Sequence, residues 1–167
     1  MFPFETTALV EEALNCARAK TARICTVETV TSGLLAAALT SVSGASAIFE
    51  RGFILYHADA KATGLNVNPE LSRLHGAVSS PVTEALANQG LKHSGAGISI
   101  AVTGYAGPTG GNENDPVGTC YISVSTNGRA NSSVVERYNF EGDREAVRLG
   151  AVDASLRLLN RALSNYN

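Results

Sequence analysis

Four hydroxyl side chains and one carboxylate fall within seven residues of this chain: Thr26, Glu28, Thr29, Thr31 and Ser32, in the stretch TVETVTSGLL. Such a cluster can cap a helix, because a serine or threonine ahead of a helix accepts a hydrogen bond from a free backbone N–H. It can also present a nucleophile, a hydroxyl that attacks a carbonyl beside backbone donors ready for the oxyanion. Three further features could complete such chemistry. Lys61 follows YHADA; a lysine held away from water has a depressed pKa and can take a proton from a hydroxyl. The stretch TGYAGPTGG, residues 103–111, has glycines that let a backbone approach a ligand and aim N–H groups at a phosphate or an oxyanion. No Lys-Ser/Thr follows it, so it is not a P-loop, and no long helix opens there as a dinucleotide fingerprint requires. Arg144 and Arg148, one helical turn apart, could clamp a phosphate. Each feature also has a plainer reading: a cap, a solvated lysine, a flexible turn, surface arginines.

The elements that must position these residues follow from pattern. Residues 5–19 carry apolar positions at helical spacing. ARICTVET is short, apolar and β-branched, which predicts a buried strand, and GLLAAALTSV predicts a buried helix. AIFERGFILYHA predicts extended structure in two pieces split at Gly52. DAKATGL predicts a short helix ended by Gly64, and NPELSRLHG another, capped by Asn68 with Pro69 in its first position. A helix is expected over SSPVTEALANQGLKH, then a strand over AGISIAVTG, then the long Gly- and Pro-rich loop 105–118. TCYISVST and SSVVERYNF predict a hairpin, with Asn127-Gly128 as its turn signal. A long helix capped by Asp143 closes the chain. Helices between the early strands imply parallel crossovers and the late hairpin implies antiparallel pairing. The expectation is α/β: one domain, residues 1–167, with a mixed central sheet in a three-layer α/β/α arrangement.

Composition excludes several classes. With 44% hydrophobic and 17% charged residues the chain can bury a core and is not disordered. A net charge of −2 without a basic stripe argues against nucleic acid. No apolar stretch reaches the ~18 to 20 residues of a membrane span. The N-terminal residues lack signal-peptide character, so a cytoplasmic location is expected. Cys16, Cys25 and Cys120 are odd in number and lack CxxC spacing, as reduced core residues would be. His57, His75 and His93 match no metal motif, and neither a metal nor another cofactor is expected.

Taken together, VETVTSGLLAAALTSVSGASAIFERGFILYHADAK, HGAVS and AVTGYAGPTGG…PVGTCYISV resemble the C-terminal domain of the competence/damage-inducible protein CinA, a family that includes nicotinamide mononucleotide deamidases. The resemblance runs from about residue 5 to 163, without the family's molybdopterin-binding-like half. It implies hydrolysis of the nicotinamide mononucleotide carboxamide to nicotinate mononucleotide and ammonia, by a serine nucleophile helped by a lysine. The family motif Glu-Ser-Cys-Thr-Gly-Gly here reads Glu28-Thr29-Val30-Thr31-Ser32-Gly33, so Thr29 takes the nucleophile position, Val30 that of the cysteine and Ser32 that of the first glycine. Lys61 and Tyr56 match, as do Thr103, Gly104, Ala106 and Gly107; Asp115 replaces a common lysine, and Arg144 falls near a family arginine. The resemblance therefore implies Thr29, Lys61 and Tyr56 as catalytic residues. Glu28, Thr31, Ser32, Gly33, Thr103, Gly104, Ala106, Gly107 and Arg144 become the substrate-binding set, with a nucleotide as small-molecule partner and a homo-oligomer as expected assembly. The alternative is a homologue without turnover that binds a nucleotide or only assembles with partners.

Overall fold

The computed structural model describes residues 2–128 and 132–167. Strands β1 (Ile24–Glu28), β2 (Phe49–Ile54), β3 (Ile98–Gly104), β4 (Thr119–Thr126) and β5 (Ser132–Asn139) form a single sheet in the order β2-β1-β3-β4-β5. Strands β2, β1 and β3 run parallel, while β4 and β5 are antiparallel additions. Alternation along the strands sends Ile24, Ile98, Ile100, Val102, Cys120, Ile122 and Val124 into one core with helices α1 (Phe4–Ala19), α2 (Leu34–Thr40) and α6 (Arg144–Ser164). Val27 and Ala101 point the other way, toward α3 (Ala60–Leu65), α4 (Pro69–His75) and α5 (Ser80–Lys92). This is the expected three-layer α/β/α fold with a mixed sheet.

Local chemistry accounts for most boundaries. Asn68 accepts from Glu70 N–H at 3.0 Å and Asp143 from Ala146 N–H at 2.9 Å, the two caps expected from sequence. Three expectations need correction. Strand β2 runs unbroken through Gly52, because that glycine gives room to its neighbour: a Cβ there would lie 2.9 Å from Thr26 Oγ1. Helix α3 passes Gly64 and ends at Asn66, whose left-handed φ of 53° supplies the cap. The hairpin closes with Thr126 paired to Ser132, five residues apart in turn length rather than the two of an Asn-Gly turn; residues 129–131 lie outside the described set.

Helix α5 comes unusually close to the sheet at Gly90. A Cβ there would meet Ser99 Oγ at 2.3 Å and Val27 Cγ2 at 2.7 Å. Alanine in mid-helix normally gains about 1 kcal/mol over glycine. Here overpacking, about 1–3 kcal/mol, outweighs it. Gly90→Ala is expected to lower the thermal midpoint by several degrees in a calorimetric scan.

The topology leaves one crevice. Strand β1 has β2 on one side and β3 on the other. The link from β1 to β2 passes through α2 on one face, and the link from β2 to β3 through α3, α4 and α5 on the opposite face. The loops leaving β1 and β2 therefore diverge at their carboxyl ends, where open α/β sheets bind ligands, and the loop leaving β3 starts at the same end. Residues 29–33 and the Gly-rich loop both start there.

Candidate active site

The turn after β1 is organised from beneath by Glu28. This carboxylate has no solvent exposure and accepts five hydrogen bonds: from Thr26 Oγ1 (3.1 Å), Thr31 Oγ1 (2.7 Å) and the N–H groups of Gly33 (2.9 Å), Leu35 (3.1 Å) and Ala36 (2.8 Å). Glu28 is thus an internal cap for α2, and Thr31, equally buried, is one of its donors. The resemblance puts both in the substrate-binding set; here their side chains bond each other beneath the turn. The Gly33 amide, expected in an oxyanion or phosphate cradle, is spent on the same carboxylate.

Two hydroxyls remain. Thr29 Oγ1 donates to the Val102 carbonyl at 3.1 Å, and the Thr29 N–H donates to the same oxygen. Ser32 Oγ has no intramolecular partner among the described residues, and Ser32 sits at φ 54°, in left-handed backbone. The position demands the conformation that the family's glycine adopts without strain.

The Gly-rich loop divides in the same way. Thr103 is fully buried and its hydroxyl pairs with Thr83 at 2.8 Å, so it braces α5 against β3. Gly104 is needed for packing, since a Cβ would strike Cys120 Sγ at 2.4 Å. Ala106 belongs to the core. All three, which the resemblance puts in the substrate-binding set, are engaged in these internal contacts. Gly107 is the residue that reaches the crevice, with its carbonyl accepting from Arg144. The amides of Ala106 and Gly107 have no acceptor among the described residues. Asp115, at the family's lysine position, ties the loop down: it accepts from Tyr121 Oη at 3.0 Å and Arg137 Nε at 2.9 Å, while Arg137 Nη2 donates to Asn114 O.

Arg144 joins three segments. Its Nη1 donates to Gly107 O at 2.9 Å and its Nη2 to Tyr56 Oη at 2.7 Å, so Tyr56, the Gly-rich loop and α6 meet at one guanidinium. Tyr56 is otherwise 62% exposed. Arg148, one turn on, donates from Nη2 to Thr31 O at 2.8 Å, and its buried Nε has no partner. The one-turn spacing of Arg144 and Arg148 brings both to one cleft. A cleft of about 840 Å³ lies against both arginines, walled by Phe2, Pro3, Leu34, Ala37 and Leu149. A second cavity, between β5 and the end of α6, lies at the far end of the sheet, and its Arg161 is paired with Glu136.

Lys61, in the first turn of α3, is 8% exposed and has no hydrogen-bond or ion-pair partner among the described residues. Burial pushes its ammonium pKa down from the ordinary lysine value. Alternation carried one residue beyond β1 turns Thr29 toward the sheet face that carries α3, opposite to Glu28. The Thr29 hydroxyl and the Lys61 amine are not hydrogen-bonded to each other; the threonine proton rests on Val102. Five ion pairs occur among the described residues, and none includes Lys61, Arg144 or Arg148. No group of three or more His, Cys, Asp or Glu residues among them could hold a metal ion. No helix among them is long and apolar enough to cross a membrane.

Comparison with known proteins agrees with this architecture. Over 151 residues the chain is 38% identical to the nicotinamide-nucleotide amidohydrolase PncC of Escherichia coli K12, covering 90% of each protein. It is 41% identical over 143 residues to a CinA-like protein of Syntrophobacter fumaroxidans, covering 86% of this chain and 33% of that one. It spans 40% of a putative competence-damage inducible protein of Caldicellulosiruptor saccharolyticus. The chain thus covers well under half the length of these two longer relatives. The crystal structure of the competence/damage inducible protein CihA from Agrobacterium tumefaciens superposes with a TM-score of 0.93 at 33% identity, over 98% of both chains. Residues 6–163 match the family described as the CinA C-terminal domain, and the chain belongs to that family.

Proposed function

We propose that this chain is an amidohydrolase for the carboxamide of a pyridine mononucleotide, releasing ammonia and the nicotinate form. The observation that carries the reading is the pair of arginines at the crevice. Arg144 and Arg148 line one cleft and lack carboxylate partners among the described residues, and Arg148 donates to Thr31 O in the hydroxyl-rich turn. An anionic substrate completes such a site electrostatically. The name of the E. coli relative points to the same chemistry.

In this reading a hydroxyl of the turn attacks the carboxamide carbon. Thr29, at the family's serine position, is the residue assigned. Its proton passes to the neutral amine of Lys61; the C–N bond breaks, ammonia leaves with a proton, and water hydrolyses the resulting ester. Arg144, supported by Tyr56 and Gly107, and the free amides of the Gly-rich loop hold the nucleotide. The Thr29–Val102 hydrogen bond must first be given up, at about 1 kcal/mol. The threonine methyl also restricts χ1 and crowds the approach. That bond favours a second reading, a nucleotide binder without turnover. An ammonia-release assay with nicotinamide mononucleotide separates the two. A rate below the usual range of ~1 to 1,000 per second is expected for the first, and binding heat without ammonia for the second. No heat and no ammonia at millimolar nucleotide would exclude both.

The state of Lys61 gives a pH prediction. Only the neutral amine can accept the proton, and burial favours that form. The rate is expected to climb as pH rises through the lysine pKa, with the limb centred below the ordinary lysine value of 10.5. Lys61→Arg, which keeps the charge but cannot shed its proton, is expected to abolish the limb together with the activity. A flat pH profile between 7 and 10 would remove Lys61 from the role of base.

A further inference from the structure

Among the described residues three that are not glycine have positive φ: Thr21, Ser32 and Asn66. Thr21 and Asn66 follow helices α1 and α3, where a left-handed residue ends the helix and satisfies its last carbonyls. Ser32 precedes a helix, so no such motif accounts for it. Its side chain brings strain that a glycine there would avoid. The next residue, Gly33, shows that the chain uses glycine at this turn when φ is positive.

The hydroxyl does nothing for the fold. Thr26 and Thr31 bond Glu28, and Thr29 bonds Val102; Ser32 Oγ alone in the turn is without a partner among the described residues. The residue is only partly buried. Its neighbour's carbonyl, Thr31 O, is held by Arg148 at 2.8 Å, so Ser32 stands one residue from a guanidinium that has no carboxylate partner among the described residues. The helix end itself offers no anion site, because Glu28 already occupies its N–H groups. The donors left for an anion at this turn are the Ser32 hydroxyl, Arg148 and the amides of Val30, Thr31 and Ser32, which have no acceptor among the described residues.

From these observations we infer that Ser32 is a specificity-determining residue whose hydroxyl donates to the phosphate monoester of the bound nucleotide, beside Arg148. The inference rests on the nucleotide reading above and adds which atom recognises which ligand group. A serine hydroxyl and an arginine together suit a phosphate oxygen, which accepts several charge-assisted hydrogen bonds at once. Strain in the free protein and a hydroxyl without a partner are then two sides of one arrangement, in which the donor is aligned before the ligand arrives.

Titration calorimetry with nicotinate mononucleotide and nicotinate riboside tests this, since neither carries an amide to hydrolyse and they differ only in the phosphate. Ser32→Gly and Ser32→Ala are expected to weaken mononucleotide binding about tenfold, ~1.4 kcal/mol, and to leave riboside binding unchanged. Ser32→Gly, relieved of strain, is expected to raise the thermal midpoint by about 2–4 °C, while Ser32→Ala, equally strained, is not. Equal losses for the two ligands would show that the hydroxyl does not meet the phosphate. Undiminished mononucleotide binding in Ser32→Gly would show that it meets no part of the ligand. Either result overturns the inference while leaving the nucleotide reading intact. Failure of the unaltered protein to bind the mononucleotide at millimolar concentration would overturn both.

Discussion

Thr29→Ala is expected to lower ammonia release from nicotinamide mononucleotide by at least about 100-fold, a loss of ~2.7 kcal/mol in transition-state stabilisation. The substitution removes the attacking oxygen and, with it, the bond to Val102. Thr29→Ser keeps the oxygen and sheds the methyl that limits χ1, so it is expected to exceed the unaltered protein. The comparison is internally controlled, because both variants leave Glu28 and its five donors untouched. A Thr29→Ala variant with more than a tenth of the original rate would move the nucleophile elsewhere. A Thr29→Ser rate equal to that of the unaltered protein would show that the methyl is not limiting.

Glu28 carries the largest structural effect. Glu28→Ala leaves three backbone N–H groups and two hydroxyls without their acceptor in a fully buried site. Each orphaned buried group costs about 1–3 kcal/mol. Local rearrangement and water entry recover part of the sum, so a net loss of at least about 3 kcal/mol is expected. For a chain of this size that lowers the thermal midpoint by about 6–12 °C. Glu28→Gln preserves shape but replaces one accepting oxygen with an NH₂ that faces donors, so most of the loss should remain. A midpoint for Glu28→Ala within 2 °C of the unaltered protein would refute the cap.

The elements were legible because their signals are local. The β-branched run ICTVE, the cap residues Asn68 and Asp143, and the buried helix after Gly33 all depend on near neighbours. The architecture followed from the alternation of those elements. Of the residues that the resemblance singled out, the fold brings Tyr56, Gly107 and Arg144 into contact. Whether a residue faces a ligand or supports one from beneath was not legible. Thr103 pairs with Thr83 across two elements, and Thr29 with a carbonyl on the neighbouring strand; neither partner is fixed by sequence spacing. Glu28 is the instructive case. All its donors lie within eight residues, so its capping role was within reach of a local reading; shared motif membership had drawn it toward the substrate instead.

The buried carboxylate has a consequence for how readily this site changes. The path of the turn is dictated from its inner side, by a residue buried beneath it. Positions 29 and 32, where the chain departs from its family, contribute no hydrogen bond to that carboxylate, whereas Val30 between them packs into the core. The residues at 29 and 32 can be exchanged while the backbone stays where Glu28 sets it. A library randomised at positions 29 and 32 should therefore yield mostly folded proteins with altered reactivity, whereas one randomised at Glu28 and Thr31 should yield mostly unfolded ones. The turn separates the residue that builds it from the residues that selection can explore.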